Sequence, residues 1–334
     1  MAYIIVLCAL ISFSIVLLII PWLINYLKQI GLEVLDMNKE KKPLVPISGG
    51  LAVVAGIISG LLVFVFFGTF FKTNVDLTLD LNSLSFLFAG IISILLITLV
   101  GFIDDLVIKQ GNEGSIGLKQ WQKPLLTVIA AIPLMVVGAG FTEMNFPFIG
   151  DINFGILYPL LLIPIGVVGA SNMVNLLAGF NGMEAGMGII YTGMLSYYAY
   201  VNERHIAALI GLMTFAALIG FYLFNKYPAK ILPGDSLTYL LGGVLAVMAI
   251  IGNIEKAALI ISIPFFIEFF LKLRGRFKPQ SYGYYENGRV KSMYKKVYSI
   301  PHIFTIKGKF TEKQVVYFMI LIQLIFSSLI WFVK

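Results

Sequence analysis

The sequence predicts an all-α fold, a polytopic membrane bundle of ten transmembrane helices. Of its 334 residues, 59% are hydrophobic and 12% are charged, and the mean hydropathy is +0.93. Soluble domains carry about 25% charged residues, so an ordinary soluble protein is excluded. Apolar runs of about 17–25 residues, long enough to span a bilayer, recur along the chain. They cover residues 3–27, 48–71, 85–103, 121–141, 154–174, 185–201, 205–225, 236–253, 255–274 and 314–333.

We expect these runs to share one integral-membrane domain, residues 1–334, with a long basic loop at 275–313. The first run has neither a basic n-region nor a small-residue cleavage site, so we interpret it as a retained helix. The single cysteine, Cys8, excludes an intrachain disulfide. No Walker phosphate loop occurs, which argues against an ATP-driven pump.

Positive charge divides unevenly between the two sides of the predicted bundle. Of the 24 Lys and Arg residues, one side holds only Lys72, Arg204, Lys256 and Lys334. Positive residues collect on the cytoplasmic side of membrane proteins. We therefore expect the other side to be cytoplasmic, with both termini outside.

The first loop on the basic side contains a cluster of lysines and a turn at Pro46–Gly50. The lysines fit contacts with anionic lipid headgroups. The turn fits the binding of a phosphorylated ligand by backbone N–H groups. Both interpretations stay open at this point.

Two adjacent carboxylates, Asp104 and Asp105, end the third predicted span. Cations are preferred at a helix C-terminus, so a structural role explains this pair poorly. Neighbouring side chains on a helix point roughly 100° apart. One carboxylate can therefore face a metal–diphosphate centre while the other faces a second substrate.

Three more polar residues belong to the same predicted side. Lys123, before span four, fits ordinary snorkelling at the interface, and Asp235, before span eight, fits an N-cap. Asn175 offers an uncharged oxygen that can bind a cation at a lower cost than a buried charge. Oxygen ligands without clustered His or Cys suit Mg²⁺, with Mn²⁺ as a second candidate. Together with the nearby cations, they indicate a nucleotide diphosphate ligand.

Residues 171–186 hold three Asn, three Gly and Glu184 between two apolar segments. A polar turn between two helices is the simpler explanation. In the long basic loop, Arg274 and Arg276 fit lipid headgroups or a bidentate phosphate clamp. His302 fits an interfacial histidine or a ligand contact.

Three motifs carry a resemblance over nearly the whole chain. They are the Asp pair in 101–105, the stretch 172–186, and Asn225–Pro228 followed by Pro233–Ser236. They resemble polyprenyl-phosphate N-acetylhexosamine-1-phosphate transferases, most of all the dolichyl-phosphate N-acetylglucosamine-1-phosphate transferases of eukaryotes and archaea. The bacterial muramoyl-pentapeptide relative looks more distant, because its motif has Asp where this chain has Ala178 and Asn181.

The resemblance implies transfer of N-acetylglucosamine 1-phosphate from UDP-N-acetylglucosamine to a polyprenyl phosphate, with release of UMP. It implies Mg²⁺ held by Asn175 and Asp235, and the family's aspartate pair in Asp104 and Asp105. It places Lys123 near the diphosphate. The lipid phosphate attacks the sugar-bearing phosphorus, and we expect Asp104 nearest the lipid phosphate and Asp105 nearest the metal, although the two could be exchanged.

The resemblance also implies nucleotide-sugar contacts. Gly179 and Asn181 match the uracil-recognising turn, and Glu184 follows in the same motif. Leu232 stands where a relative has a stacking aromatic, so this chain departs from the family at that position. Arg274 and Arg276 correspond loosely to an Arg-His-Arg motif, and His302 to the remainder of a histidine run.

Two alternatives remain at the level of sequence. The same chemistry could use another UDP-sugar, such as N-acetylgalactosamine, a modified glucosamine or the muramoyl-pentapeptide. A lipid or solute transporter also has about ten spans, but it predicts ionisable groups near the bilayer midplane. We expect the membrane and a polyprenyl phosphate lipid as partners and no nucleic acid. A homodimer is also a candidate, but no feature of the sequence indicates one.

Overall fold

The computed structural model describes residues 2–71, 80–111, 114–146 and 150–332. Lys72 and Lys334, two of the cations used to predict orientation, lie outside these ranges. Within them the chain is an all-helical membrane bundle with short hairpins, so the predicted fold class is confirmed.

The helices follow one another in the order of the predicted spans. They are α1 Ala2–Gln29, α2 Gly50–Phe70, α3 Leu81–Val107, α4 Gln122–Thr127, α5 Ile132–Val136, α6 Ile163–Leu176, α7 Met183–Val201, α8 His205–Asn225, α9 Gly234–Gly252, α10 Glu255–Ile261, α11 Ile263–Arg274, α12 His302–Thr305 and α13 Glu312–Ser328. Turns of 3-10 helix, Val128–Ala131 and Leu329–Phe332, connect α4 to α5 and extend α13. A π-helical turn, Tyr158–Leu162, leads into α6.

Seven helical segments among the described residues are long and apolar enough to cross a membrane. The other three predicted spans are helical but do not meet that standard. The segment 122–136 is short, α7 carries Glu184 with several Gly and Tyr residues, and α10 and α11 are separated at Ser262. The predicted count of ten spans is therefore not confirmed.

Helix α9 is the centre of the bundle and contacts α3, α6, α8 and α2. Its apolar sequence is buried over 83% of a membrane-length window. Glycine makes the closest approaches possible, because a Cβ at Gly101 of α3 would collide with the backbone of Asp235. Likewise, a Cβ at Gly242 would collide with the backbone of α6 at Ala170. These contacts bring the polar ends of α3, α6 and α9 together.

The strands form two-stranded antiparallel hairpins in the connections. They are β1 Glu33–Leu35 with β2 Leu44–Pro46, β3 Lys109–Gly111 with β4 Gly114–Ile116, β5 Glu143–Phe146 with β6 Gly150–Asn153, and β7 Gly283–Glu286 with β8 Arg289–Ser292. The first hairpin belongs to the first loop and the last belongs to the long basic loop. Both lie beside the site described next.

Candidate active site

A cavity of about 950 Å³ opens where α3, α6 and α9 end or begin, on the side of the basic loops. The first loop contributes residues 34–37 to its wall, the α6–α7 turn contributes residues 178–181, and the long basic loop contributes residues 279–282. It has a polar part and an apolar part. Each of the three predicted motifs contributes residues to this lining, although Asn225–Pro228 of the third motif does not.

The polar part is organised around Lys123 of α4. Its Nζ lies 2.6 Å from Asp104 Oδ2 and 2.9 Å from Asp235 Oδ2. The N–H of Leu118 donates to Asp104 Oδ1 over 2.7 Å, which fixes the carboxylate beside the cation. The structure thus brings together three of the predicted site residues, one each from α3, α4 and α9.

Asn175, at the end of α6, completes this group. Its Nδ2 lies 3.5 Å from Asp235 Oδ2, and its Oδ1 accepts a hydrogen bond from Thr238 Oγ1 over 2.8 Å. No cluster of three or more acidic, His or Cys ligands occurs among the described residues. Mg²⁺ usually takes few protein ligands and completes its shell with water and substrate phosphates. A carboxylate at Asp235 and an amide at Asn175 fit that requirement once the amide turns its oxygen, here bonded to Thr238, toward Asp235.

Asp105 has a different environment from its neighbour. It is fully buried and lies outside the cavity lining. Its carboxylate accepts hydrogen bonds from the N–H of Asp235 at 2.7 Å, the N–H of Ser236 at 3.2 Å and the Ser48 hydroxyl at 2.8 Å. Asp105 therefore satisfies backbone donors at the start of α9, where a negative charge is favoured, and positions Asp235.

The turn Pro46–Gly50 is bonded to the segment before α9. The N–H of Leu232 donates to Pro46 O at 2.7 Å, and the N–H groups of Gly49 and Gly50 donate to the carbonyls of Leu232 and Pro233. These N–H groups are therefore already satisfied. The turn joins α2 to α9 and does not offer these two N–H groups to a phosphate. A phosphate contact elsewhere in the turn stays a prediction.

The α6–α7 turn forms another wall of the cavity. Gly179 has φ +132°, a conformation that favours glycine, and its N–H donates to Glu184 Oε1 over 2.6 Å. The other oxygen of Glu184 is buried and has no hydrogen-bond partner in the described part of the chain. Tyr282 of the basic loop packs directly against Gly179 and lines the cavity.

The last three predicted residues do not line the cavity. Arg274 and Arg276 are exposed, and Arg274 bonds to the carbonyl of Val297 and covers the Tyr298 ring. His302 is fully buried. The structure therefore separates these residues from the group around Lys123, and their predicted contacts with the nucleotide sugar stay predictions.

The contacts of His302 define its tautomer. The N–H of Tyr298 donates to Nδ1 at 3.2 Å, so Nε2 carries the proton and donates to Gln280 O at 2.9 Å. Burial disfavours the charged ring and lowers the pKa of His302 to about 4. Gln280 lines the cavity, so His302 holds the basic loop in place against it.

Sequence reasoning assigned no site role to several residues at the cavity. Asp36, Thr238, Lys272 and Tyr282 all line it. Lys272 Nζ donates to Pro279 O at 2.7 Å and lies 3.7 Å from the buried Glu268. The sequence signal for these residues was weak. Asp36 is a carboxylate in a lysine-rich loop, and Lys272 is a lysine at the end of an apolar helix.

The fold and the site define a multi-pass membrane protein whose lysine-balanced carboxylates suit phosphate chemistry at the membrane surface. The chain belongs to glycosyl transferase family 4, whose sequence profile matches residues 86–253, from α3 to α9. It is a sugar-phosphate transferase, as the sequence motifs predicted. Enzymes of this family generally depend on a divalent metal ion.

Relatives extend the match beyond that region. A Saccharolobus solfataricus protein provisionally named UDP-N-acetylglucosamine–dolichyl-phosphate N-acetylglucosaminephosphotransferase is 36% identical, over 95% of this chain and 93% of its own. A Sulfolobus acidocaldarius protein with the same provisional name is 31% identical, over 97% and 94%. A phospho-N-acetylmuramoyl-pentapeptide-transferase of Lactobacillus gasseri is 31% identical, over 77% and 79%.

Proposed function

We propose that this protein transfers N-acetylglucosamine 1-phosphate from UDP-N-acetylglucosamine to a polyprenyl phosphate of the dolichyl type. The products are polyprenyl-diphosphate-N-acetylglucosamine and UMP. The observation that carries the proposal is the placement of Lys123 between Asp104 and Asp235 at the ends of membrane helices. A site at that depth is reachable both by a soluble nucleotide sugar and by a lipid headgroup. The names of the two archaeal relatives support the choice of donor and acceptor.

The nucleotide end of the donor fits the wall formed by the α6–α7 turn and the basic loop. Gly179 and Asn181 lie there, opposite Asp36 and beside Tyr282. Tyr282 supplies an aromatic ring on a different element from Leu232, where the family's stacking residue is missing. Glu184 lines the same wall, where its carboxylate accepts the Gly179 N–H and fixes the turn.

The lipid end fits the apolar part of the cavity. Trp121 of the segment before α4, Met173 of α6 and Phe266, Phe269 and Phe270 of α11 line it. Trp121 and Phe270 are each 64% exposed, so this wall reaches the surface that the bilayer covers. A prenyl chain lying there would place its phosphate at the level of Asp104 and Lys123.

The chemistry needs little covalent participation from the protein. An oxygen of the lipid phosphate attacks the sugar-bearing phosphorus, a new phosphoanhydride forms, and the bond to UMP breaks. A phosphate monoester has a second pKa near 6, so the nucleophile is largely dianionic at neutral pH and a general base is optional. Lys123 offsets negative charge on the phosphates, and Asp104, held by Leu118 and Lys123, orients the attacking group. Asp105 holds Asp235 in place from behind.

Asn175 and Asp235 are the residues that would hold the divalent metal ion, and we propose Mg²⁺. When bound, the ion neutralises diphosphate charge and polarises the P–O bond. In the sequence, all but four of the 24 Lys and Arg residues fall in connections on the predicted side of Asp104 and Asp235. We therefore also propose that the site faces the cytoplasm and that both termini face outside. The transporter alternative required acids near the bilayer midplane, whereas Asp104 and Asp235 lie at helix ends.

The test is UMP release by purified protein in detergent, given a polyprenyl phosphate, UDP-N-acetylglucosamine and Mg²⁺. We expect release that requires both the lipid and the metal and that Asp235→Ala abolishes. Glu286→Ala, which removes an exposed carboxylate on β7, is the matched control and should keep the wild-type rate. Release with a different UDP-sugar alone would keep the mechanism and change the assigned donor. Absence of release with every donor, in protein that unfolds cooperatively, would overturn the proposal.

A further inference from the structure

Asn181, on the nucleotide wall, is held by a buried network that reaches across the molecule. Its side-chain Nδ2 donates to Asp36 Oδ2 of the first loop over 2.9 Å. Its backbone N–H donates to Glu312 Oε1 at the start of α13 over 3.0 Å. Lys39 Nζ lies 3.1 Å from Asp36 Oδ2 and also pairs with Glu312. Asp36, Asn181 and Glu312 are each 5% exposed or less.

The network determines which way the Asn181 amide points. A carboxylate paired with a lysine can only accept hydrogen bonds, so the atom of Asn181 that meets Asp36 must be the NH₂ group. The amide oxygen is then the atom left for a ligand, and both residues line the cavity. An amide in place of Asp36 would keep its oxygen on Lys39 and still accept from Asn181. An apolar side chain would remove the acceptor and leave the Asn181 amide free to turn over.

The turn that carries Asn181 is anchored by a second contact from the same loop. Asn38 Nδ2 donates to Gly179 O over 2.7 Å, and Asn38 Oδ1 accepts the N–H of Gly283 over 3.0 Å. One amide thus joins the α6–α7 turn to β7 of the basic loop. The backbone on both sides of Asn181 is held in place, so only the direction of its side chain is free to vary. The hydrogen bond to Asp36 sets that direction.

We propose that Asp36 is a positioning residue that makes the enzyme selective for uracil over cytosine. Uracil carries a hydrogen on N3, which an amide oxygen can accept, whereas N3 of cytosine is itself an acceptor. An Asn181 oxygen presented to the base therefore matches uracil and repels cytosine. This inference rests on the proposed function, because it requires that a nucleotide base lies against the α6–α7 turn.

The direct test is binding of UMP and CMP to purified protein in detergent, measured by calorimetry. Wild-type protein should bind UMP in preference to CMP. In Asp36→Leu the acceptor is gone and the Asn181 amide can turn over, so we expect the preference to fall by about tenfold, the size of one mismatched buried hydrogen bond. Glu286→Leu, at an exposed carboxylate that pairs with Lys291, is the matched control and should keep the preference.

A reciprocal exchange separates orientation from general damage. In the double variant Asp36→Asn, Asn181→Asp, the new amide can donate only to the carboxylate, and that carboxylate still presents an acceptor to the base. We expect the UMP preference to return. In turnover assays Asp36→Leu should raise the KM for UDP-N-acetylglucosamine and leave kcat unchanged, because the reacting groups lie at Asp104 and Asp235.

The outcomes distinguish this inference from the proposed function. A UMP preference in wild-type protein that Asp36→Leu retains overturns the role of Asp36 alone. A double variant that folds, by thermal unfolding, but does not regain the preference overturns it as well, even if Asp36→Leu itself fails to fold. Wild-type protein that binds neither nucleotide overturns the proposed function and this inference together.

Discussion

Lys123 Nζ lies 2.6 Å from Asp104 Oδ2, so a cation from α4 is bound to a carboxylate at the end of α3. The same amine reaches Asp235 of α9 at 2.9 Å. Two carboxylates that would repel each other are therefore held around one lysine. Diphosphate oxygens entering the cavity meet that lysine in a position that is already organised.

Replacing Lys123 with Met should lower kcat for UMP release by about 100-fold or more, the usual effect of removing one well-placed charged group. The variant loses charge stabilisation and leaves Asp104 facing Asp235 without a cation. The matched control is Lys119→Met, because Lys119 is an exposed cation of the same segment. A Lys123→Met enzyme within about threefold of the wild-type rate would contradict the site.

Substitutions at Asp104 and Asp105 should have different effects when stability and turnover are measured on the same preparations. Asp105→Asn weakens bonds to the Asp235 and Ser236 N–H groups and should destabilise the fold by about 2–4 kcal/mol, since bonds to a charged group each contribute about 1.5–3 kcal/mol. Asp104→Asn should lose turnover and be destabilised less, because Lys123 keeps Asp235 as a partner. Equal unfolding temperatures for the two variants would refute the structural role of Asp105.

The apolar wall of the cavity predicts a selective effect on the lipid substrate. Trp121→Ala and Phe270→Ala should each raise the KM for polyprenyl phosphate by about 5–30-fold, the result of losing about 1–2 kcal/mol of apolar contact. The KM for the UDP-sugar should stay constant. Phe66→Ala, an exposed aromatic on α2 that does not line the cavity, serves as the control. A rise in both KM values would point to a general distortion.

His302 predicts a pH dependence of stability. Its pKa in the folded protein is lowered to about 4, below the ordinary 6.5, so the unfolded chain binds a proton more readily. The contribution of this residue is therefore complete above pH 6.5 and is lost as the pH falls from 6.5 toward 4. We expect the unfolding temperature of His302→Gln to fall less steeply than that of the wild type over this interval. Parallel curves would show that the imidazole does not titrate there.

The orientation can be tested with single cysteines, because the native Cys8 is buried and can be replaced by Ala. A cysteine at Lys278, exposed in the basic loop, should react with a membrane-impermeant maleimide only after cells are opened. A cysteine at Asn202, exposed between α7 and α8, should react on intact cells. The reverse labelling pattern would show that the orientation is opposite to the one proposed.

Much of the fold could be predicted from the sequence, because apolar runs of membrane length have few other stable arrangements. The count of ten spans was less secure. Gly and Tyr residues lower the hydropathy of α7, and the segment α10–α11 is interrupted. The predicted grouping of acids on one side was sound for Asp104 and Asp235. Neither spacing nor charge could show that Asp105 faces the backbone of α9 while Asp104 faces Lys123.

By itself, the sequence determined the class of the protein, its membrane character and the motifs that place it in its family. These follow from composition and local order, which depend little on packing. Only the tertiary structure decided which polar groups share the cavity, because Lys123, Asn175 and Asp235 lie on different helices. It also joined Asp36, Asn181 and Glu312, which are far apart in the chain. Burial requires each of these polar groups to find a partner, and only packing determines which partner is within reach.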